Sequence, residues 1–344
     1  MPKLRAVIVG MDHWYAALGE LESVRRSERV EVVALAHRDP MKAESTAKRY
    51  GVAHWTTDYA SLVDREDVDI VVTACTTAEN PALCRAAAAA GKHIVSVKPT
   101  ALTVSDAESI AAAVKSASVR FVSFESYWRI SPIYRRIQEW VSEGRIGSIV
   151  SAYTMLRSPL PTQVWPGEHG TTWWLDASKA PGGGWLDHAI YHIDYLRWLL
   201  RDEVSRVSGE VANLKFPDLP FEDYGASNLT FKGGARAICE VTWSAPKSGG
   251  MSQVHLTGTE GQIVYDPSIS GKLAVSGKFA AEGGPTGWLL SNPPSGPSSY
   301  LENLAAALQD GTELPAGVDD AVTNLKVSLA FYEAARSGKS IHLA

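Results

Sequence analysis

Across the first third of the chain, short apolar runs alternate with helical patterns, and this alternation restricts the fold more than any other feature. Residues 6–9 form a run that ends at Gly10, and residues 30–36 form another that ends at His37. Three more follow at 69–74, 93–97 and 120–123. Between them lie helical patterns: one running to about Arg26, one over 41–50 with Gly51 behind it, an alanine-rich one over 81–90 with Gly91 behind it, and one over 106–115. Glycine just past a helix is a stop signal. Apolar runs without polar alternation read as strands buried on both faces, as in parallel sheets with helical crossovers. The handedness of such crossovers leaves a doubly wound dinucleotide-binding sheet as the leading topology.

The rest of the chain has a different rhythm. Residues 131–142 predict a helix, 150–156 a strand, and 185–200 an amphipathic helix. Strand-like runs follow at 204–214, 225–231, 236–243, 253–258 and 262–265, and Thr259-Glu260-Gly261 reads as a tight hairpin turn between the last two. Strands in succession imply a mostly antiparallel sheet. Residues 276–299, rich in Gly, Pro and Ser, read as a long surface loop of the kind that serves as a lid. Helices are expected at 299–308 and 318–335. The expectation is an α/β protein: a Rossmann domain over 1–123 and a substrate-binding and oligomerisation domain over 124–344 with a large, mostly antiparallel open sheet. At 344 residues there is enough chain for two cores.

Composition removes several function classes. A net charge of −5 leaves no basic footprint for nucleic acid. No apolar run approaches the roughly 18 residues of a membrane span. The opening Met1-Pro2-Lys3-Leu4-Arg5 carries no signal-peptide pattern, so a cytoplasmic location is expected. The three cysteines, Cys75, Cys84 and Cys239, are scattered, with neither disulfide nor metal-ligand spacing.

Four segments carry the chemistry. The first is Gly91-Lys92-His93-Ile94-Val95-Ser96-Val97-Lys98-Pro99, which sets one lysine past the end of a strand, where α/β sheets bind ligands. The second is the turn Gly10-Met11-Asp12-His13-Trp14-Tyr15. A dinucleotide fingerprint needs G-x-G-x-x-G, and only Gly10 is kept. Asp12, in the second glycine's place, is expected to cap the following helix. The third is Ala36-His37-Arg38-Asp39 at the end of the second strand. Arg38 there suits a 2′-phosphate and favours NADP over NAD, unless it is merely solvated while Asp39 caps the next helix. Gly10, Asp12, His13, Trp14, His37 and Arg38, with Cys75, Thr76, Thr77, Asn80 and Lys98, are the cofactor-binding candidates. The fourth is Gly182-Gly183-Gly184-Trp185-Leu186-Asp187-His188-Ala189-Ile190-Tyr191-His192-Ile193-Asp194, in which flexible glycines feed a helix dense in titratable groups. Asp187 and Tyr191 share one face, and His188 and His192 the next. The histidine pair lacks a third zinc ligand, so no metal is expected. Among 11 tryptophans, Trp165, Trp173, Trp174 and Trp185 cluster, either as core or as an apolar platform for a sugar.

With these residues in view the chain resembles the Gfo/Idh/MocA family of sugar and polyol oxidoreductases over nearly its whole length. The likeness rests on the Gly91-to-Pro99 segment (family G-K-H-V-x-x-E-K-P), on Pro181-to-Asp194 (family G-G-G-x-L-x-D-x-G-x-H-x-x-D), and on the late hairpin His255-Leu256-Thr257-Gly258-Thr259-Glu260-Gly261. The resemblance implies NADP or NAD, with the nicotinamide between the two domains, and a carbohydrate or polyol substrate. It also implies a homodimer or homotetramer. It implies Lys98, Asp187 and Tyr191 as catalytic residues. Members of the glucose–fructose oxidoreductase type carry Tyr at the place of Tyr191, and an unshifted alignment puts His192 there instead. Val97 departs from the family Glu, and Asn80 stands where His is common. The implied mechanism has Tyr191 or His192 take a hydroxyl proton as hydride leaves, while Lys98 stabilises the alkoxide and Asp187 orients the substrate or tunes Lys98. Lys98, Trp128, Arg129, Trp165, His169, Trp173, Trp174, Asp187 and His188 are expected at the substrate, with core packing the alternative for the aromatic ones. The rival readings are a redox-assisted glycosidase or lyase that keeps its cofactor, and a non-catalytic NADP-sensing regulator.

Overall fold

The structure is a computed structural model that describes residues 1–268, 270–279, 288–294 and 298–343. Up to residue 130 the chain runs β1 (Leu4–Val9), α1 (Trp14–Ser23), β2 (Val30–Ala36), α2 (Pro40–Tyr50), β3 (His54–Thr56), α3 (Tyr59–Val63), β4 (Ile70–Thr73), α4 (Asn80–Ala89), β5 (His93–Ser96), α5 (Val104–Ala117), β6 (Phe121–Ser123) and α6 (Tyr127–Ile130). Then come α7 (Pro132–Ser142), β7 (Ile149–Arg157), β8 (Gln163–Trp165), β9 (Glu168–His169) and α8 (Gly184–Leu200). The strands β10 (Val204–Ala212), β11 (Tyr224–Phe231), β12 (Arg236–Thr242), β13 (Met251–Gly258), β14 (Gln262–Tyr265), β15 (Leu273–Ser276) and β16 (Leu289–Ser291) precede α9 (Tyr300–Asp310), α10 (Val318–Ser337) and β17 (Ile341–His342).

Two compact units result. The first comprises Met1–Ile130, Thr162–Pro181 and Pro297–Leu325; the second comprises Ser131–Pro161, Gly182–Gly296 and Lys326–Ala344. The chain therefore returns twice to the first unit, where the sequence pattern predicts two consecutive domains.

In the first unit six parallel strands lie in the order β3-β2-β1-β4-β5-β6. The expected doubly wound topology is present, with its switch point between β1 and β4. β4 is buried at every position, as continuous apolar runs predict. Helix ends follow the local chemistry: Asp39 caps α2 by accepting from the Met41 and Lys42 N–H groups, Pro40 follows, and Gly51 ends the helix at φ 71°. The sequence pattern missed β3 and α3. β3 is a three-residue edge strand, two of whose residues are exposed, so it carries no apolar run to detect.

The first unit is closed by a distant helix. Glu20 of α1 is buried and receives the Ser299 hydroxyl at 2.8 Å and the N–H groups of Tyr300 and Leu301 at 3.0 Å each. Its carboxylate thus satisfies the orphan donors at the start of α9. Burial raises the Glu20 pKa, and the three donors pull against that rise. Tyr300, Leu301, Leu304 and Ala305 join Ala17, Leu21 and Val24 in one core.

The second unit holds a nine-stranded sheet in the order β16-β15-β14-β13-β7-β12-β11-β10-β17. Only β7 and β12 pair in parallel; every other neighbouring pair is antiparallel. The expected hairpin joins β13 to β14, with the Gly258 N–H on the Gly261 carbonyl at 2.8 Å. α8 packs on β7, β11 and β12. Trp185 belongs to this core: it is fully buried and stacks on Phe331 at 3.8 Å. The predicted loop at 276–299 is interrupted by β16, which pairs with β15; residues 280–287 and 295–297 of that loop lie outside the described residues. No helix among the described residues is long and apolar enough to cross a membrane.

Replacing Glu20 by Ala strands three buried donors, each costing about 1–3 kcal/mol if left unmet. Glu20→Ala should therefore lower thermal stability by several degrees, as read by circular dichroism. An unchanged melting temperature would show that α9 does not need this cap.

Candidate active site

The carboxyl ends of the parallel strands gather most of the cofactor-binding candidates. Gly10 ends β1 at φ 74°, and a Cβ there would lie 2.8 Å from Cys75 Cα, so the turn tolerates no side chain. His13, the residue before α1, contributes no side-chain cap. Its buried ring bonds the Tyr15 hydroxyl and meets the Trp173 and Trp174 rings edge-on, at 5.6 and 5.2 Å. The Trp14 indole N–H donates to the Gln163 carbonyl at 3.2 Å, and that of Trp173 to the Asp12 carbonyl at 3.1 Å.

Lys98 lies past β5 and is fully buried. Its Nζ sits 4.2 Å from the centroid of the Trp174 ring, which in turn stacks on Trp173 at 4.0 Å. Two tryptophans proposed as a sugar platform are thus beside the proposed catalytic lysine. A cation over a desolvated indole gains about 2 kcal/mol. The peptide between Lys98 and Pro99 is cis.

The segment bearing Lys98 is pinned on both sides. Thr73 Oγ1 accepts from the Val97 N–H at 3.2 Å and donates to Asn80 Oδ1 at 2.5 Å. Asn80 Nδ2 donates to Ser96 Oγ at 2.9 Å and to the Thr100 carbonyl at 2.6 Å. Glu125 Oε1 accepts from the Thr100 N–H at 3.1 Å. Asn80, expected to touch cofactor, instead holds β4, β5 and the Lys98 loop together with both ends of its amide.

One expectation in the turn after β1 is corrected. Asp12 does not cap α1; its carboxylate accepts from Arg38 at 2.9 Å. Arg38 also donates to Glu79, at 2.8 and 3.1 Å. Its guanidinium is bridged by two carboxylates. His37 is buried and its pKa is lowered, chiefly by that burial. Trp165 lies over His37 at 5.5 Å and under the Lys42 ammonium at 5.0 Å, at the end of β2. Other candidates are engaged elsewhere. Arg129 is buried, with its guanidinium on Asp320 and the Pro315 carbonyl at 3.0 Å each. His169 is exposed and bonds Thr162 at 3.2 Å, and Trp128 is buried in α6. Thr76 holds Glu79 through its hydroxyl at 2.6 Å.

The residues present fit a dinucleotide. Gly10 lets the loops after β1 and β4 pack closely at the edge where such sheets bind dinucleotides, and the buried Thr77 hydroxyl, after β4, makes no hydrogen bond within the protein. No cluster of metal-ligating side chains occurs among the described residues.

In the second unit, the triple glycine serves close packing rather than flexibility. A Cβ at Gly182 would fall 2.2 Å from the Tyr332 hydroxyl, and one at Gly183 would fall 2.6 Å from the Glu222 carbonyl. Glu222 Oε1 accepts from the N–H groups of Gly183 and Trp185 at 3.1 and 3.0 Å, and from the Tyr332 hydroxyl at 2.7 Å. This carboxylate fixes the start of α8. Asp187, in the first turn, accepts from the Trp243 indole at 2.9 Å and lies 3.1 Å from His188 Nδ1. A carboxylate there is favoured by the helix dipole. Tyr191 is half-buried one turn on, its ring 5.9 Å from that of His188. His192 is fully buried with Nδ1 3.1 Å from Cys239 Sγ. Sequence reasoning missed Glu79, Glu222 and Trp243. None of the three lies in a recognisable motif, and each meets its partners only in the folded chain.

Comparison with known proteins accords with this architecture. The model of an oxidoreductase family with an NAD-binding Rossmann fold matches residues 4–125, and that of the GFO/IDH/MocA C-terminal domain matches residues 134–264. A 1,5-anhydro-D-fructose reductase from Ensifer adhaerens is 26% identical, over 91% of each chain. A levoglucosan dehydrogenase from Pseudarthrobacter phenanthrenivorans is 28% identical, over 72% of this chain and 67% of its own. A solved levoglucosan dehydrogenase in complex with NADH and L-sorbose superposes with a TM-score of 0.87 at 22% identity, covering 100% of both chains.

The His192 geometry yields a pH test. Burial first, and then the neighbouring His188, pushes its pKa down to about 3. An unfolded histidine titrates near 6.5. The folded value is depressed, so stability is full above pH 6.5 and falls as pH drops toward 3, by about 1.4 kcal/mol per unit. His192→Asn should flatten the pH dependence of the urea midpoint across that window. Identical slopes in both proteins would refute the neutral, buried state of this ring.

Proposed function

Because the chain belongs to the Gfo/Idh/MocA oxidoreductase family, we propose that it moves a hydride between a nicotinamide dinucleotide and a hydroxyl or carbonyl carbon of a sugar, anhydrosugar or cyclic polyol. The observation that carries this reading is the buried ammonium of Lys98 against the Trp174 face. A lysine is not enclosed in this way to solvate a surface. Relatives named for 1,5-anhydro-D-fructose and levoglucosan support the carbohydrate class.

The bound dinucleotide supplies the hydride acceptor. The residues of the chain handle the proton and the substrate. Tyr191, as its phenolate, takes the hydroxyl proton and becomes the neutral phenol as the C–H bond breaks. His192 is the poorer choice for this role, because its ring is enclosed against Cys239 and held neutral. Lys98, in a water-poor setting, stabilises the negative charge that develops on the substrate oxygen, where a fixed positive charge is worth far more than in water. Asp187, fixed by the Trp243 indole, accepts from a neighbouring substrate hydroxyl. Trp173, half-buried and backed by Trp174, offers apolar surface to the C–H bonds of the sugar ring. We also propose that the protein acts as a cytoplasmic homodimer or homotetramer, as the family resemblance implies; light scattering measures the assembly.

The test is absorbance at the reduced-nicotinamide band, with anhydrosugars, aldoses and inositols screened against NAD and NADP separately. Lys98→Met keeps the volume of the side chain and removes its charge. It should lower kcat by about 10²–10³-fold, the range expected when one charge-stabilising group is lost. Dinucleotide binding should stay within a few-fold of wild type. Tyr191→Phe should lose about 10²–10⁴ in rate. An active Lys98→Met enzyme would overturn the assignment.

A further inference from the structure

The loops after β1, β2 and β4 bring three charged side chains together at the carboxyl edge of the first sheet. Arg38 Nη2 is the centre: it donates to Asp12 at 2.9 Å and to Glu79 at 2.8 Å. Glu79 is itself held by the Thr76 hydroxyl at 2.6 Å. Asp39, the other carboxylate at the end of β2, is occupied as the cap of α2. The group therefore carries one positive and two negative charges. Beside it the Tyr59 hydroxyl is buried and makes no hydrogen bond. Its proximity to the group shows in its pKa, raised to about 12 by burial first and then by Asp12, with Glu79 adding to the rise and Arg38 opposing it.

We propose that Asp12 and Glu79, by holding Arg38 between them, make this chain select NAD over NADP. The proposal rests on the nicotinamide-dependent reading above and deepens it. In a doubly wound sheet the adenosine ribose of a bound dinucleotide meets the end of β2, next to the switch point. β1 lies between β2 and β4 in the sheet, so Asp12, Arg38 and Glu79 surround that place. A ribose diol is neutral and brings two hydroxyl donors, which carboxylate oxygens accept; the Tyr59 hydroxyl adds a further partner. A 2′-phosphate brings a charge of roughly −1.5 to −2 instead. It would enter a cluster that is already net negative and whose own cation is bridged twice, while the neighbouring Lys42 is paired with Glu168 at 2.9 Å. To bring its Nη2 edge round to the phosphate, Arg38 would have to release Asp12, whose side chain is only 16% exposed. A largely buried carboxylate would then lose its counter-charge, which is strongly unfavourable. An arginine whose Nη2 is held by two carboxylates is thus a weaker phosphate reader than a free one.

Dissociation constants for NADH and NADPH, read by energy transfer from tryptophan to the reduced nicotinamide, test this without turnover. Wild type should bind NADH about tenfold or more tightly than NADPH. The double variant Asp12→Asn/Glu79→Gln frees Arg38 while keeping both side-chain shapes, and should tighten NADPH by about tenfold or more, closing the gap. Glu79→Gln alone changes the more exposed carboxylate and should move the ratio the same way, so the test survives if the turn at Asp12 does not tolerate change. Wild type that binds NADPH as tightly as NADH overturns the selection while leaving dinucleotide dependence intact. So does a ratio that neither variant moves. Binding of neither nucleotide overturns the dinucleotide-dependent reading itself, and the selection with it.

Discussion

An ammonium group enclosed by protein is tolerated only where its surroundings replace water, and the Lys98 segment is organised around that requirement. The Trp174 ring gives the charge a π face, and Trp173 backs that ring. The backbone on either side of Lys98 is tied down by Thr73, Asn80 and Glu125, from β4, α4 and the turn after β6. Each tie is a neutral or charge-assisted hydrogen bond inside the unit, so the lysine has little freedom to swing away. A group held in this manner needs no reorganisation when negative charge appears beside it. The rigidity of the loop and the chemistry of its lysine have one origin.

The first turn departs from the glycine fingerprint in a way that the second strand compensates. Asp12 replaces a glycine where a pyrophosphate would pass, and an isolated carboxylate there would repel it. The structure turns that carboxylate onto Arg38, while its main-chain carbonyl accepts from Trp173. Two departures that look independent in the sequence, an acid in the turn and an arginine after β2, are one ion pair. Glu79 completes it from a third loop, so a change at any one of the three positions alters the field at the others.

The parallel sheet was legible in the sequence because its strands are buried on both faces and therefore uninterrupted by polar residues. β3 was not, because an exposed three-residue edge carries no such pattern. Lys98 stood out through its strand and proline, and Asp187 through the spacing with Tyr191. Trp243, Glu222 and Glu79 did not stand out. Trp243 meets Asp187 across 56 positions and Glu222 meets Trp185 across 37, and periodicity holds no information about such distant pairings. For the same reason the tryptophan cluster divided: Trp173 and Trp174 joined Lys98, Trp165 went to the end of β2, and Trp185 entered the other core. Adjacency along the chain said nothing about which core each would choose.

The tie between Glu20 and the start of α9 bears on how the protein is made. Synthesis runs from the amino end, so all six strands of the first sheet leave the ribosome long before residues 300–310 exist. Until then the surface formed by Ala17, Leu21 and Val24 lacks Leu301 and Leu304, the side chains that share its core. A nascent chain with that face uncovered is a substrate for chaperones and a partner for misassembly. The first unit cannot complete its core until residues 300–310 have been made, however early its sheet emerges.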